Sequence, residues 1–158
     1  MKKLLFILSF VLTVSIAEAQ TRGEARLQVG GDYGFNTENF GVNFGAEYFL
    51  ANRISLAPNY TIFFPENGNA SNLNIDARYY LTEGILQWYG MAGFANNWTT
   101  HEVVGVESHR SSAAGANLGL GGVLKFADRM AFNPEFKYQF VSGSSQPVFR
   151  LGLVFLIN

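Results

Sequence analysis

Four side chains able to ligate a metal fall close together in the chain: His101, Glu102, Glu107 and His109. Imidazole and carboxylate donors are the usual non-thiolate zinc ligands. Their setting argues against a metal centre, because all four lie in the longest polar stretch, Trp98 to Ser112, which reads as a solvated loop. A second candidate is Gly119-x-Gly121-Gly122. A phosphate cradle needs a helix directly after its glycines, and here an alternating apolar pattern simply continues. No catalytic residue, metal or cofactor is therefore assigned. The third set is ionic: Glu24, Arg26, Asp32, Glu47, Asp76, Arg78, Lys125, Glu135, Lys137 and Arg150, five acids and five bases. Within a segment these residues are separated by even numbers, as at 24, 26 and 32, at 76 and 78, and at 135 and 137. Balanced charges on one face can form a network of ion pairs and hydrogen bonds.

Even spacing is the mark of the element that carries them. From Glu24 onward apolar residues alternate with polar or very small ones, and a period of two places successive side chains on opposite faces of a strand. The pattern predicts eight strands, at 24–35, 40–50, 54–64, 72–81, 86–97, 113–126, 130–141 and 147–157. The breaks between them carry turn residues, among them Asn52-Arg53, Thr82-Glu83-Gly84, Asp128-Arg129 and Ser142-Gly143-Ser144-Ser145. Alternating short and longer breaks suit an up-and-down meander. Pro58 and Pro134 fall inside predicted strands, where the missing N–H removes a ladder hydrogen bond, so bulges or shifted boundaries are expected there.

The face opposite the charges is apolar in every strand. It reads Leu27, Val29 and Tyr33, then Phe40, Val42, Phe44 and Tyr48, and continues in the same way to Phe149, Leu151, Leu153 and Phe155. No Asp, Glu, Lys or Arg shares its parity. An eight-stranded barrel has room inside for little more than a filled core, so dozens of large apolar side chains cannot point inward. Turned outward they meet lipid, where a charge would cost about 2–4 kcal/mol at the bilayer midplane. The strands are long enough for the roughly 9–11 residues that a crossing requires. The expected fold is therefore all-β, an eight-stranded antiparallel up-and-down transmembrane β-barrel with a polar interior. Arg26, Asp32, Glu47, Asp76, Arg78, Lys125, Glu135, Lys137 and Arg150 should form its internal ionic network. Asp76, Arg78, Glu135 and Lys137 should each find an opposite charge on a neighbouring strand.

The first residues follow a different rule. Lys2 and Lys3 precede the apolar run Leu4 to Ile16, and Ala17-Glu18-Ala19 has the small-x-small form of an export cleavage site. The run falls short of the roughly 20 apolar residues that a membrane-spanning helix needs. Cleavage between Ala19 and Gln20 would leave a signal peptide of residues 1–19 and a barrel domain of residues 20–158. The chain of 158 residues has no Cys, which excludes disulfides, thiolate metal sites and a cysteine nucleophile. A net charge of −1 gives no electrostatic reason to bind nucleic acid.

The segments Asn117-Leu-Gly-Leu-Gly-Gly-Val-Leu-Lys-Phe126, Asp128-Arg129, Pro134-Glu-Phe-Lys-Tyr138 and Arg150-Leu-Gly-Leu-Val-Phe155 resemble the last three strands of small outer-membrane β-barrel proteins of the OmpA/OmpX type. The resemblance implies a Gram-negative outer membrane, lipid around the barrel, both termini in the periplasm and handling by the barrel-insertion machinery. That family often ends in an aromatic residue, whereas this chain ends Phe155-Leu-Ile-Asn158. The implied role is structural or one of surface interaction, with loop 98–112 placed to meet an extracellular ligand. Oligomeric state is left open. A narrow porin-like channel is the alternative of the transport class. A second resemblance supplies the enzyme alternative: His109-Arg110-Ser111 is similar to the His-x-Ser of membrane-embedded lipid A deacylases. That chemistry also needs an orienting acid, and none occurs between Ser111 and Asp128.

Overall fold

In the computed structural model, which describes residues 22–66, 68–101 and 109–157, eight antiparallel strands close into a barrel. They are β1 (Ala25–Gly34), β2 (Asn39–Ala51), β3 (Ile54–Phe63), β4 (Asn69–Tyr80), β5 (Leu86–His101), β6 (His109–Ala127), β7 (Met130–Val141) and β8 (Gln146–Leu156). Each strand pairs with the next in sequence, and β8 returns to β1. Closure satisfies the backbone donors and acceptors without an open edge. The signal segment 1–19 with its cleavage point at Ala19 and Gln20 lies outside the described residues, as do Glu102 and Glu107.

The alternation dictates which way each face points. Leu118 is 60% exposed and Phe44 54%, whereas Arg78 and Lys137 are 1% exposed. The outer surface is the apolar face and the interior is the polar one, the reverse of a water-soluble core. A small apolar cluster does exist inside, made by Phe49, Tyr80, Tyr89, Met91, Val123, Ala131 and Val154 near the end that carries the chain termini.

Three expectations need correction. The break at 98–112 is strand at both ends: β5 runs to His101, β6 starts at His109, and the ladder between them continues through Trp98↔Ser112, Thr99↔Ser111 and Thr100↔Arg110. Backbone pairing does not need an apolar face, so a hairpin can project beyond the apolar band with polar side chains on both sides. β4 likewise begins at Asn69 rather than 72.

The prolines do not cause bulges. Pairing of β2 with β3 passes from Gly45↔Asn59 to Tyr48↔Leu56, skipping Pro58 and Ala57 but keeping register. Pairing of β6 with β7 does the same from Gly121↔Glu135 to Leu124↔Phe132, skipping Pro134 and Asn133. Strand alternation aims each proline nitrogen at the strand where the pairing is interrupted, and the ladder resumes in register just beyond it. Opposite Pro134, the Asn133 side-chain amide donates to the Gly122 carbonyl at 2.8 Å, replacing the absent backbone donor. Register shifts occur elsewhere, between Phe49 and Ala51 and between Lys125 and Ala127. Both stand next to two-residue turns of similar sequence, Asn52-Arg53 and Asp128-Arg129, with Arg53 at a φ of 67°. A bulge beside a tight turn takes up the strong local twist that such a short connection imposes.

Candidate functional site

The chemistry-bearing side chains converge in the lumen. Eight charged residues are buried there: Asp32, Glu47, Asp76 and Glu135 against Arg26, Arg78, Lys137 and Arg150. They form one chain of alternating sign. Glu24 meets Arg26 at 2.6 Å, Arg26 lies 3.8 Å from Glu47, and Glu47 lies 3.4 Å from Arg78. Arg78 reaches Glu135 at 2.7 Å, and Glu135 also lies 3.3 Å from Arg150 and 3.7 Å from Lys137. The chain ends at Asp32, which accepts two hydrogen bonds from Arg150 at 2.6 and 2.8 Å, and at Asp76, 3.8 Å from Lys137. Equal numbers of each sign let every buried charge have an opposite neighbour, the condition for tolerating burial.

The partners of β4 differ from the expectation of neighbouring strands. Arg78 pairs with Glu135 on β7 and Glu47 on β2, and Asp76 pairs with Lys137 on β7, so these contacts cross the lumen. The register explains this. Beside Arg78 stand Ser55 and Met91, and beside Asp76 stand Ala57 and Gly93, none of them charged. Lys137 likewise lies between Gly119 and Val148. Glu135 does have its expected neighbour, Arg150 on β8. Lys125 is placed apart from this chain, half-buried at the rim near the Asp128-Arg129 turn.

Glycines create room for these crossings. A Cβ at Gly93 would collide with the Asp76 carboxylate, and one at Gly121 would collide with the Tyr89 hydroxyl. Three aromatic side chains flank the ionic chain and were not singled out in the sequence. The Arg26 guanidinium lies 4.7 Å from the Phe49 ring centroid, and that of Arg78 lies 4.6 Å from Tyr89. The hydroxyls of Tyr80 and Tyr89 donate to Glu47 and Glu135, each at 2.8 Å. Parity would have found them: Phe49 shares it with Glu47, and Tyr80 with Arg78.

Toward the other end the lining changes to amides and hydroxyls. Asn59 and Asn117 donate to Asp76 at 3.2 and 2.9 Å, and Thr61 donates to Asp32 at 2.7 Å. Asn43, Asn74 and Gln139 extend this layer, with Asn72 bonded to both Asn74 and Asn97. Above it opens a cavity of about 390 Å³ bordered by Thr37, Asn39, Asn97, Thr99, Ser111 and Ser144. Ser111 is exposed at the outer part of β6, and among the described residues no acid side chain borders that cavity. Among the described residues, no three of His, Cys, Asp and Glu gather as a metal site.

The barrel fold is matched among solved structures. The N-terminal β-barrel domain of Pseudomonas aeruginosa OprF superimposes with a TM-score of 0.74 at 23% identity, covering 87% of this chain and all of that one. The fold is that of a small outer-membrane β-barrel. Another outer-membrane barrel, Ail of Yersinia pestis, solved with the heparin analogue sucrose octasulfate, gives 0.68 at 14% identity over 87% of this chain and all of its own. Neisserial surface protein A gives 0.64 at 14% identity over 84% of this chain and 94% of its own. No protein-family model and no curated protein sequence matches the chain. What these small outer-membrane barrels share with it is architecture, at identities too low to carry over a function.

Proposed function

We propose that the mature protein, residues 20–158 after removal of a signal peptide, resides in the outer membrane of a Gram-negative bacterium as a non-enzymatic barrel. Its interior is closed, and its role is structural or one of surface interaction through the end opposite the termini. The observation that carries this reading is the single ion-pair chain from Glu24 to Asp32 and Asp76, which crosses the lumen wall to wall. An ion passing through would have to displace charges already held by partners in a low-dielectric interior. The apolar exterior supports the membrane setting, and the likeness to outer-membrane barrels supports the same compartment. Barrel-insertion machinery would deliver the chain there. The cavity bordered by hydroxyl and amide side chains at the end opposite the termini is where a surface partner would be met.

Planar-bilayer recording from the purified, refolded wild-type protein tests the closed interior. No single-channel steps are expected. Regular unitary conductance from the wild type would replace this reading with the narrow-channel alternative.

A further inference from the structure

The lipid-facing surface is not uniformly bulky. Its register sets Ala77 beside Ala92, and Tyr79 beside Gly90, where most outward positions carry Phe, Leu, Ile or Tyr. These small residues floor a groove of about 430 Å³ across β4 and β5, with Tyr79 and Leu81 toward the terminus-bearing end and Leu118 at the far side. A Cβ built on Gly90 meets nothing within 4 Å, so the groove floor is open. From Leu81 to Ala77 the groove follows about 13 Å of strand at roughly 3.3 Å per residue. That compares with the roughly 15 Å of hydrocarbon in one leaflet of a core about 30 Å thick.

An ion pair stands at the groove's terminus-bearing end. Arg53, next to Ile54 and opposite the backbone of Tyr80, donates from Nε to Glu83 Oε1 at 2.7 Å, and both side chains reach solvent. The Glu83 hydrogen bond and its negative charge raise the Arg53 guanidinium above its ordinary value, with Tyr79 adding to the shift. That bond uses one donor and one acceptor. A guanidinium retains further N–H groups, and a carboxylate a second oxygen. A cation and an anion side by side above an apolar channel complement a head group that carries an anion and a cation above an acyl chain.

We propose that this groove and the Arg53–Glu83 pair bind one phosphatidylethanolamine-type phospholipid from the periplasmic leaflet. An acyl chain would lie over Ala77, Gly90 and Ala92, the phosphate on Arg53 and the ammonium on Glu83. This inference rests on the membrane-spanning reading above. Guanidinium matches phosphate in a planar, bidentate manner, which gives the site its polarity.

The test uses native mass spectrometry of the refolded mature chain in mild detergent, titrated separately with dioleoyl-phosphatidylethanolamine and dioleoyl-phosphatidylglycerol. Wild type should retain a single phosphatidylethanolamine at least tenfold more than phosphatidylglycerol. Gly90→Leu and Ala92→Leu, which fill the groove from outside, should lose that adduct. The double variant Arg53→Ala/Glu83→Ala should retain both lipids equally. Equal retention by wild type, or undiminished phosphatidylethanolamine in both groove variants, overturns the lipid site. Heat-modifiable gel migration, run on the same samples, reports the membrane barrel separately. A barrel that shifts normally without lipid selectivity sinks only the groove proposal, whereas a chain soluble without detergent sinks the membrane reading beneath it.

Discussion

Glu135 is the junction of the interior, lying within 4 Å of Arg78, Arg150 and Lys137 while accepting a hydrogen bond from Tyr89. Removing one member of a buried pair leaves its partners charged and uncompensated, which costs about 3–5 kcal/mol. Glu135→Gln is close to isosteric, so its expected loss of stability, of that size, measures charge rather than volume. Urea or guanidinium unfolding from vesicles, read by tryptophan fluorescence, checks it. An unchanged midpoint would mean that the ion chain contributes little to stability. At this scale much was legible in the sequence. Even spacing alone places Asp76, Arg78, Glu135 and Lys137 on the inner face. Their partners were not legible, because parity gives a direction and not a distance.

Strands tolerate irregularities here by local substitution. Pro134 interrupts the ladder toward β6, and the Asn133 amide supplies the missing donor to Gly122 while also donating to the Tyr89 hydroxyl at 2.9 Å. A buried acceptor left without its partner costs about 1–3 kcal/mol. Asn133→Ala should therefore destabilise the barrel by that amount in the same unfolding assay. Adding Pro134→Val restores a backbone N–H to the rung, and the double variant should recover part of the loss. If the double variant is no better than the single one, the asparagine acts only through Tyr89. The bulges expected at the prolines were the natural reading of sequence alone, since a missing N–H is visible there but a nearby side-chain replacement is not. The strand character of the β5–β6 hairpin is hidden in the sequence for a related reason. Its polar residues resemble a loop, and only the pairing ladder reveals that they extend two strands.

The molecule as a whole inverts the usual arrangement, with Phe, Leu and Tyr outside and ion pairs within. Phe44, exposed on β2 between Val29 and Tyr60, samples the outer coat. Phe44→Arg should lower the stability of the membrane-inserted barrel by up to about 2–4 kcal/mol, the cost of a cation near the bilayer midplane. Equilibrium refolding into vesicles measures it. No loss would remove this face from the membrane. The sequence by itself determined that there are eight strands, their inward and outward faces and the inversion, because a period of two is a local property that every strand repeats. Only the tertiary structure decided that β4 answers to β2 and β7 across the lumen, and that small residues on β4 and β5 align into a groove. Those relations depend on closure and on the register between strands, which no spacing along one strand can encode.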